Sequence, residues 1–344
     1  MIEFGKAFAQ RGAYMVTIND IAKMANVSIS TVSRVLNGKG RISKAKREEI
    51  LKIANDLSYI PNYHARCMTK ESTITIGFIV PDITNPFFAE VTRGIEIALS
   101  SKALLMLMDS FRDSKREEEM AERLKTNGAK GIIFGNSRVE DNFVKYISNF
   151  LPIVVFDKEY ESNNIASVLL DNYYGAYTAT KHLLNNGCKE IVHFGGTDEL
   201  LVSIQRAQGY EEAMKQAGLQ PKTLKIGYDE KAGYEKMKKI IKKSEKVEVD
   251  GVFCMNDLVA IGVIKALKEE GLRIPQDVAV VGFDDTNLCD FIFPSLTSVK
   301  QPAEEMGKVA AKMLIELIEK RANIRKYVFS PTLVVRESSL KAKG

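Results

Sequence analysis

The chain has 344 residues, of which 45% are hydrophobic, and this is enough for two or three domains with their own cores. It has neither a long uncharged apolar run nor a secretory signal pattern, so we expect a cytoplasmic protein without a membrane span or membrane partner. The cysteines Cys67, Cys188, Cys254 and Cys289 lack paired spacing, and the three histidines are scattered. This pattern predicts free thiols, no metal site and no cofactor.

Positive charge is concentrated near the N-terminus. Residues 1–72 contain 12 Lys and Arg against 6 Asp and Glu, a net charge of +6, whereas the remaining 37 against 38 give −1. A basic segment on a near-neutral body is typical of proteins that contact nucleic-acid phosphates. Residues 1–15 have weak periodicity, and we expect either a disordered leader or a stretch that precedes a natural start at Met15.

Two short amphipathic helices are predicted within residues 16–37. Thr17 is expected to cap the first helix by accepting a backbone amide, and Ser28 to cap the second. Asn26 lies at the sharp turn between them, because Asn tolerates a left-handed backbone. The pattern indicates a helix-turn-helix, whose second helix enters the DNA major groove. The alternative is a helical hairpin inside a larger core.

The exposed side of the second helix supplies candidate DNA contacts. Arg34 is expected to bind O6 and N7 of guanine, Ile29 to meet a thymine methyl group, and Ser30 to tolerate several bases. Thr31, Ser33 and Asn37 are expected to contact phosphates. The predicted DNA-binding set also includes Thr17 and Ser28. A third helix is predicted from a cap at Ser43 to about residue 58.

The strings TINDIA, from Thr17, and VSISTVSRVLN, from Val27, resemble the headpiece of the lactose repressor/galactose repressor family of bacterial transcription regulators. Asn26 replaces the usual turn glycine. In that family a hinge helix follows, folds on operator DNA and inserts a leucine into the minor groove. The resemblance implies a hinge helix and linker at 61–73, with Met68 at the position of that leucine. It also implies DNA contacts from Tyr63 and His64. The alternative is a plain linker.

From Ile74 onward, short β-rich runs alternate with helical patterns. Apolar strands separated by helices predict parallel sheets covered on both faces, and the number of units exceeds one sheet. We therefore predict an α/β fold, in which a helix-turn-helix, three-helix headpiece precedes two doubly wound parallel-sheet subdomains that resemble a periplasmic-binding-protein core. The predicted boundaries are 16–60 for the headpiece, 74–171 with 299–327 for the first subdomain, and 172–298 with 328–340 for the second.

Polar and aromatic residues follow the predicted strands, at the edge where doubly wound folds bind ligands. Carboxylates, amides, a guanidinium group and aromatic rings suit a sugar, because each buried hydroxyl needs a partner and each ring face can stack. Taken singly, each of these residues also fits a helix cap or a turn. The positions match the effector pocket of the resembling family. They are Asn85, Phe87, Phe88, Asp157, Arg206, Tyr228, Asn256, Asp284 and Gln301.

No phosphate-binding glycine loop and no Gly-x-Ser-x-Gly elbow occurs in the sequence, so we predict no catalytic residue and no enzyme. The enzymatic alternative is a glycosidase pair formed by Asp157 and Asp284. The favoured function is a repressor of sugar-utilisation genes that binds an approximately palindromic operator as a homodimer or tetramer and responds to a sugar-like effector. The alternatives are a global regulator that answers a partner protein or a sugar phosphate, and an exported sugar receptor, which would lack the headpiece.

Overall fold

A computed structural model of the chain describes residues 16–36, 40, 42–57, 59, 74–196, 200–243 and 248–340. The predicted leader, Asn37 and the hinge segment with Tyr63, His64 and Met68 lie outside the described residues. The chain divides into two compact units at Ile74. In the described ranges, no helix is long and apolar enough to cross a membrane.

The first unit contains three short helices around a small apolar core. They are α1 (Ile18–Met24), α2 (Ile29–Leu36) and α3 (Lys44–Asp56). Each helix contributes one fully buried branched side chain, Ile21, Val32 and Ile50 respectively, and the three helices all contact one another. Helices α1 and α2 lie where the two short helices were predicted, and α3 ends two residues before its predicted end.

The helix caps follow the sequence prediction. Thr17 and Asp20 form a reciprocal capping box, in which the Thr17 side chain accepts the backbone N–H of Asp20 and Asp20 Oδ2 accepts the backbone N–H of Thr17 at 2.8 Å. The Thr17 hydroxyl also donates to Asp20 Oδ2 at 2.6 Å. Asn26 adopts the expected left-handed backbone with φ of 49°, and Ser28 Oγ accepts the amide of Thr31 at 3.2 Å.

The second unit begins with a lobe built on a six-stranded parallel sheet. In spatial order its strands are β11 (Lys326–Phe329), β5 (Ile165–Leu170), β4 (Ile153–Phe156), β3 (Gly131–Phe134), β1 (Ile74–Val80) and β2 (Ala103–Asp109). Its helices are α4 (Pro86–Leu99), α5 (Ser114–Thr126), α6 (Asp141–Ser148) and α12 (Ala303–Ile318). The strands are almost entirely apolar because helices cover both faces of such a sheet.

The second lobe repeats this architecture. Its strands, in spatial order, are β12 (Thr332–Val334), β10 (Thr297–Lys300), β9 (Ala279–Asp284), β8 (Gly251–Cys254), β6 (Ile191–Gly195) and β7 (Thr223–Lys225), and only the β12–β10 pairing is antiparallel. Its helices are α7 (Asn172–Asn185), α8 (Leu201–Gln216), α9 (Glu230–Ile241), α10 (Asp257–Glu269) and α11 (Leu288–Phe291). A 3₁₀ turn at Glu337–Ser339 follows β12.

The chain passes between the lobes three times, after β5, after β10 and after β11. The last two passages differ from the predicted boundaries. Strand β10 continues in the second sheet to Lys300, and β11 remains in the first sheet to Phe329, so each passage lies about two residues later than predicted. Hydrogen-bonded pairing with β9 and β5, which a single strand's hydropathy does not reveal, sets these ends.

Pairs of glycines bring neighbouring helices into backbone contact. A Cβ atom on Gly94 of α4 would lie 2.0 Å from the carbonyl oxygen of Glu304 in α12, and one on Gly307 of α12 would lie 2.1 Å from that of Val91. Real Cβ atoms do not approach so closely. The reciprocal pair therefore fixes how α12, which follows the second passage between lobes, packs on the first lobe.

Candidate functional site

A cavity lies between the two lobes, at the carboxyl ends of their strands. Its empty volume is about 610 Å³, open solvent at the mouth included. Eight of the nine predicted effector residues line it, namely Asn85, Phe87, Phe88, Arg206, Tyr228, Asn256, Asp284 and Gln301. Asp157, the ninth, lines an adjoining cavity that shares Asn136 with the first.

The start of helix α4 forms the aromatic wall of the cavity. Asn85 caps the helix, because its Oδ1 accepts the backbone amide of Phe87 at 3.0 Å. The rings of Phe87 and Phe88 are buried and meet edge to face with centroids 5.1 Å apart. This wall combines an amide with apolar ring faces, the pairing that holds a carbohydrate ring.

Arg206 projects from the second lobe and is almost entirely buried. It lies in the second turn of α8, which begins at Leu201, and not at the start of the helix as predicted, because the helix starts earlier than the apolar pattern suggested. Its Nη1 donates to the carbonyl oxygen of Met255 at 2.5 Å, and its Cζ lies 3.6 Å from the ring centroid of Phe283. Ring stacking and backbone contact hold the guanidinium plane in one orientation.

A chain of polar contacts runs through Arg206 from one lobe to the other. Asn172 Nδ2 donates to Asp157 Oδ1 at 3.4 Å, and Arg206 Nε donates to Asn172 Oδ1 at 2.9 Å. On its other side, Arg206 Nη1 lies 4.0 Å from Asp284 Oδ1, which accepts a 2.6 Å hydrogen bond from Gln301 Nε2. Since Asp157 belongs to the first lobe and Asp284 to the second, these side chains connect the lobes at the cavity.

Burial changes the protonation of the carboxyl groups in this chain. It raises the pKa of Asp157 to about 6, although Arg206 and the Asn172 hydrogen bond oppose the change. Burial also raises the pKa of Asp284, with Asp257 adding repulsion and Arg206 opposing. Burial thus disfavours the ionised form of both carboxyl groups, and such perturbed groups mark candidate binding sites.

Several strand ends in the site turn into the cavities through a positive φ angle. Asn136 after β3 has φ of 51°, Asp157 after β4 has 60°, and Asp284 at the end of β9 has 115°. Non-glycine residues adopt such angles uncommonly, Asn and Asp more readily than others, and such residues cluster at binding and active sites.

Two further side chains resemble helix caps in sequence and behave differently in the structure. Asn256 caps α10 through Oδ1 and also donates from Nδ2 to the carbonyl oxygen of Tyr228 at 2.9 Å, which fixes Tyr228 at the cavity. Asp257 is fully buried and accepts hydrogen bonds from Thr286 and Ser298, so it ties the second lobe together and does not face the cavity.

Sequence reasoning did not single out several residues of the site. Arg112, Asn136 and Arg138 line the cavity, and Asn172 links Asp157 to Arg206. All four follow strands, the signal that identified the others. Arg112 and Arg138 were missed because they lie in the polar loop strings SFRDS and GNSR, where long cationic side chains usually face water.

The three predicted base-contacting side chains lie on the surface of the first unit. Ile29 is 48% exposed, and Ser30 and Arg34 are also exposed. Thr17 and Ser28 are exposed as well, whereas Thr31 and Ser33 are partly buried. Ser28 Oγ lies 2.8 Å from both Ser30 Oγ and Thr31 Oγ1, which arranges three hydroxyls around this helix start. The aliphatic part of Arg34 packs beside Gly40, where an added Cβ would be 3.3 Å from Arg34 Cδ.

Comparison with known proteins assigns both units. Residues 17–62 match the model of bacterial regulatory proteins of the lacI family, and residues 180–339 match a periplasmic binding protein-like domain. Over 331 residues the chain is 34% identical to the HTH-type transcriptional regulator RegA of Clostridium saccharobutylicum, covering 94% of this chain and 99% of RegA. The chain belongs to the lacI family. The predicted fold class and a DNA-binding transcription regulator are thereby confirmed.

Ribose is named for two other proteins to which this lacI-family regulator is similar. The ribose operon repressor of Haemophilus influenzae is 34% identical over 336 residues, covering 96% of this chain and all of that protein. A lacI-family regulator from Enterococcus faecium, crystallised with bound ribose, is 29% identical with a TM-score of 0.71, covering 78% of this chain and all of that structure.

Proposed function

We propose that this lacI-family regulator represses sugar-utilisation genes and that a small carbohydrate in the cavity between its lobes controls DNA binding. The observation that carries the proposal is the convergence of eight predicted residues on one cavity, with amide, guanidinium and carboxyl groups beside two aromatic rings. A hydroxyl-rich ring satisfies buried polar groups that an apolar ligand would leave unpaired. The ribose named for two similar proteins belongs to the same chemical class.

On the DNA side, we propose that Ile29, Ser30 and Arg34 read bases in the major groove. Their exposure supports this role, since burying the exposed Ile29 side chain against an apolar partner such as a thymine methyl group lowers the free energy of the complex. One helix-turn-helix reads too few bases to be specific, so we propose a homodimer on an approximately palindromic operator. Such a protein acts in the cytoplasm, on the nucleoid.

The first lobe supports the dimer. Leu104 and Met106 alternate on one face of the edge strand β2 and are 52% and 43% exposed, and Ile97 of α4 is 51% exposed. Apolar side chains on an unpaired edge strand favour burial against a partner. We propose that a second copy covers them. Light scattering of the protein and of a Leu104→Lys variant tests this, since the variant is expected to shift toward monomer.

The polar chain through Arg206 suggests how a ligand acts. A carbohydrate that touches Asp284 or Gln301 also touches the groups that connect the lobes, so binding favours one relative tilt of the lobes. If a ligand changes the affinity for operator by some factor, bound operator must change the affinity for that ligand by the same factor. We propose no catalysis, because Asp157 and Asp284 each accept a hydrogen bond from a neighbouring amide side chain, which suits binding.

The experiment has two arms on the same purified protein. Fluorescence anisotropy with operator-like palindromic duplexes is expected to give binding whose affinity falls steeply with salt. A thermal-shift screen with sugars, sugar acids and sugar phosphates is expected to find a ligand that raises the melting temperature and changes operator affinity. If no duplex binds at low salt, the DNA-binding role is wrong. If only an added partner protein changes operator affinity, the global-regulator alternative replaces the sugar effector.

A further inference from the structure

The charged lining of the cavity is unbalanced. Among the described residues, its lining contains three arginines, Arg112, Arg138 and Arg206, and two carboxyl groups, Asp82 and Asp284. Burial also raises the pKa of Asp284, so this carboxyl group offsets less than a full positive charge. A neutral polyol needs hydrogen-bond partners but no such excess of guanidinium groups.

The excess charge is located on the first lobe. Arg206 is engaged by Asn172, Met255 and the Phe283 ring, as described above. Arg112 and Arg138 instead reach across the cavity to a single ring of the second lobe, with their Cζ atoms 5.3 and 5.5 Å from the centroid of Tyr228. Two guanidinium groups are thereby held close to one another at the same end of the cavity.

Both arginines are held from behind by acidic groups. Arg112 Nη2 donates to Asp82 Oδ2 at 2.6 Å, while its side chain remains 29% exposed. Glu117 accepts the backbone N–H of Arg138 at 3.1 Å and attracts its guanidinium group. Burial raises the pKa of Glu117, so its ionised form is less favoured and it neutralises the Arg138 guanidinium group less effectively. Such fixed guanidinium groups lose little entropy when they bind an oxyanion.

A hydrogen-bond acceptor lies at the same end. The buried Oδ1 of Asn136 has no hydrogen-bond partner among the described residues, and Asn136 has a positive φ angle. An unpaired buried acceptor requires a donor from elsewhere. A hydroxyl group supplies such a donor, whereas an isolated inorganic anion at neutral pH supplies few.

We infer that the effector is an anionic carbohydrate, whose carboxylate or phosphate lies against Arg112 and Arg138 and whose hydroxyls face Asn136 and the amides of the second lobe. The inference rests on the proposed function, because it names the chemical class of ligand for the same cavity. A neutral sugar bound there would remove water from two guanidinium groups without adding a negative charge on the cavity side, whereas an anionic sugar would replace that water with charge-assisted hydrogen bonds.

The test compares matched sugars at constant ionic strength. Thermal shift and titration calorimetry are run with glucose, glucuronate and glucose 6-phosphate, with galactose, galacturonate and galactose 6-phosphate, with ribose and ribose 5-phosphate, and with inorganic phosphate. In at least one set the anionic sugar is expected to bind at least tenfold more tightly than its neutral counterpart. The uronate and phosphate arms distinguish the two sources of charge. An equal or tighter neutral sugar, or no response to any anion, overturns the inference.

The matched variants are Arg138→Gln and Arg93→Gln. Arg138→Gln is expected to weaken the preferred anion by about 10- to 100-fold and to leave its neutral counterpart unchanged, because one charge-assisted contact is lost. Arg93 lies on α4 outside the cavity lining with a 74% exposed side chain, so its replacement is expected to change neither affinity. Unchanged anion affinity in Arg138→Gln also overturns the inference. If only neutral sugars bind and cause the protein to release operator DNA, the inference of an anionic effector is wrong but the proposed function stands. If the protein binds no operator DNA, the proposed function is wrong, and the ligand preference of the cavity is a separate result.

Discussion

Gln301 and Asp284 are joined twice in the second lobe. The Gln301 side chain donates to Asp284 Oδ1 at 2.6 Å, and its backbone N–H donates to the Asp284 carbonyl oxygen at 3.2 Å. Gln301 lies directly after β10, where the chain passes to the first lobe, and both side chains line the cavity. A ligand that contacts Asp284 therefore contacts the segment that connects the lobes.

Asp284→Ala is expected to reduce the response to effector by at least tenfold, since it removes a ligand contact and the acceptor for Gln301. Operator affinity without effector is expected to stay within about twofold, because the headpiece is a separate unit. The measurement is effector-dependent operator release by anisotropy. Asp290→Asn, outside the cavity and with a 63% exposed side chain, is the control. A normal response of Asp284→Ala would refute the assignment of this cavity.

Asp157→Asn is expected to stabilise the protein at neutral pH. Burial raises the Asp157 pKa from an ordinary 3.8 to about 6, so the folded state binds more protons than the unfolded state between these values. Stability contributed by the protonated group is present below about pH 4 and is lost as pH rises through 6, by up to about 3 kcal/mol. Asparagine remains neutral and still accepts from Asn172.

Urea unfolding of wild type and Asp157→Asn between pH 4 and pH 8 measures this difference. The gain in the free energy of unfolding is expected to be near zero at pH 4 and largest above pH 6. A gain that is the same at every pH would show that packing, and not ionisation, is responsible. Reduced effector binding by the stabilised variant is also expected, as a stabilised binding site often loses function.

Arg34→Ala is expected to relax specificity at one base pair of each half-site, by about 1–3 kcal/mol in discrimination. The measurement is anisotropy against duplexes that carry each base at every position. Lys44→Ala, which removes an exposed cation at the start of α3, is the matched comparison. It is expected to weaken all duplexes similarly and to lower the slope of log affinity against log salt by about one. Uniform weakening by Arg34→Ala would exclude a base contact.

Gly307→Ala is expected to destabilise the core, although alanine normally favours a helix by about 1 kcal/mol over glycine. The added Cβ would lie 2.1 Å from the Val91 carbonyl oxygen, so α4 and α12 must separate, at a cost of about 1–3 kcal/mol or more. Melting temperatures measure the change. Glu305→Ala, at an exposed position of the same helix, is expected to change stability by no more than about 0.5 kcal/mol. A stabilised Gly307→Ala would contradict the close packing.

The sequence predicts most of the fold because its strands are nearly unbroken apolar runs. Helix α9 (Glu230–Ile241) was not predicted, since only Gly233 and Met237 are buried on it and its lysines obscure the pattern. The cavity residues nearest to strands, such as Asp284 and Asn256, were predicted from their position after strands together with the family resemblance. Arg112 and Arg138 were not predicted, because the orientation of these long side chains depends on a contact with the opposite lobe, the ring of Tyr228.

The last two strands, β11 and β12, are edge strands of different sheets. Because synthesis runs from the N-terminus, α1 to α3 leave the ribosome before either lobe has received its outer strand β11 or β12. A product truncated before Lys326 would leave two sheets without their outer strands and expose both edges to aggregation. The proposed control by a ligand therefore depends on strands that are synthesised after the headpiece helices and after most of both lobes.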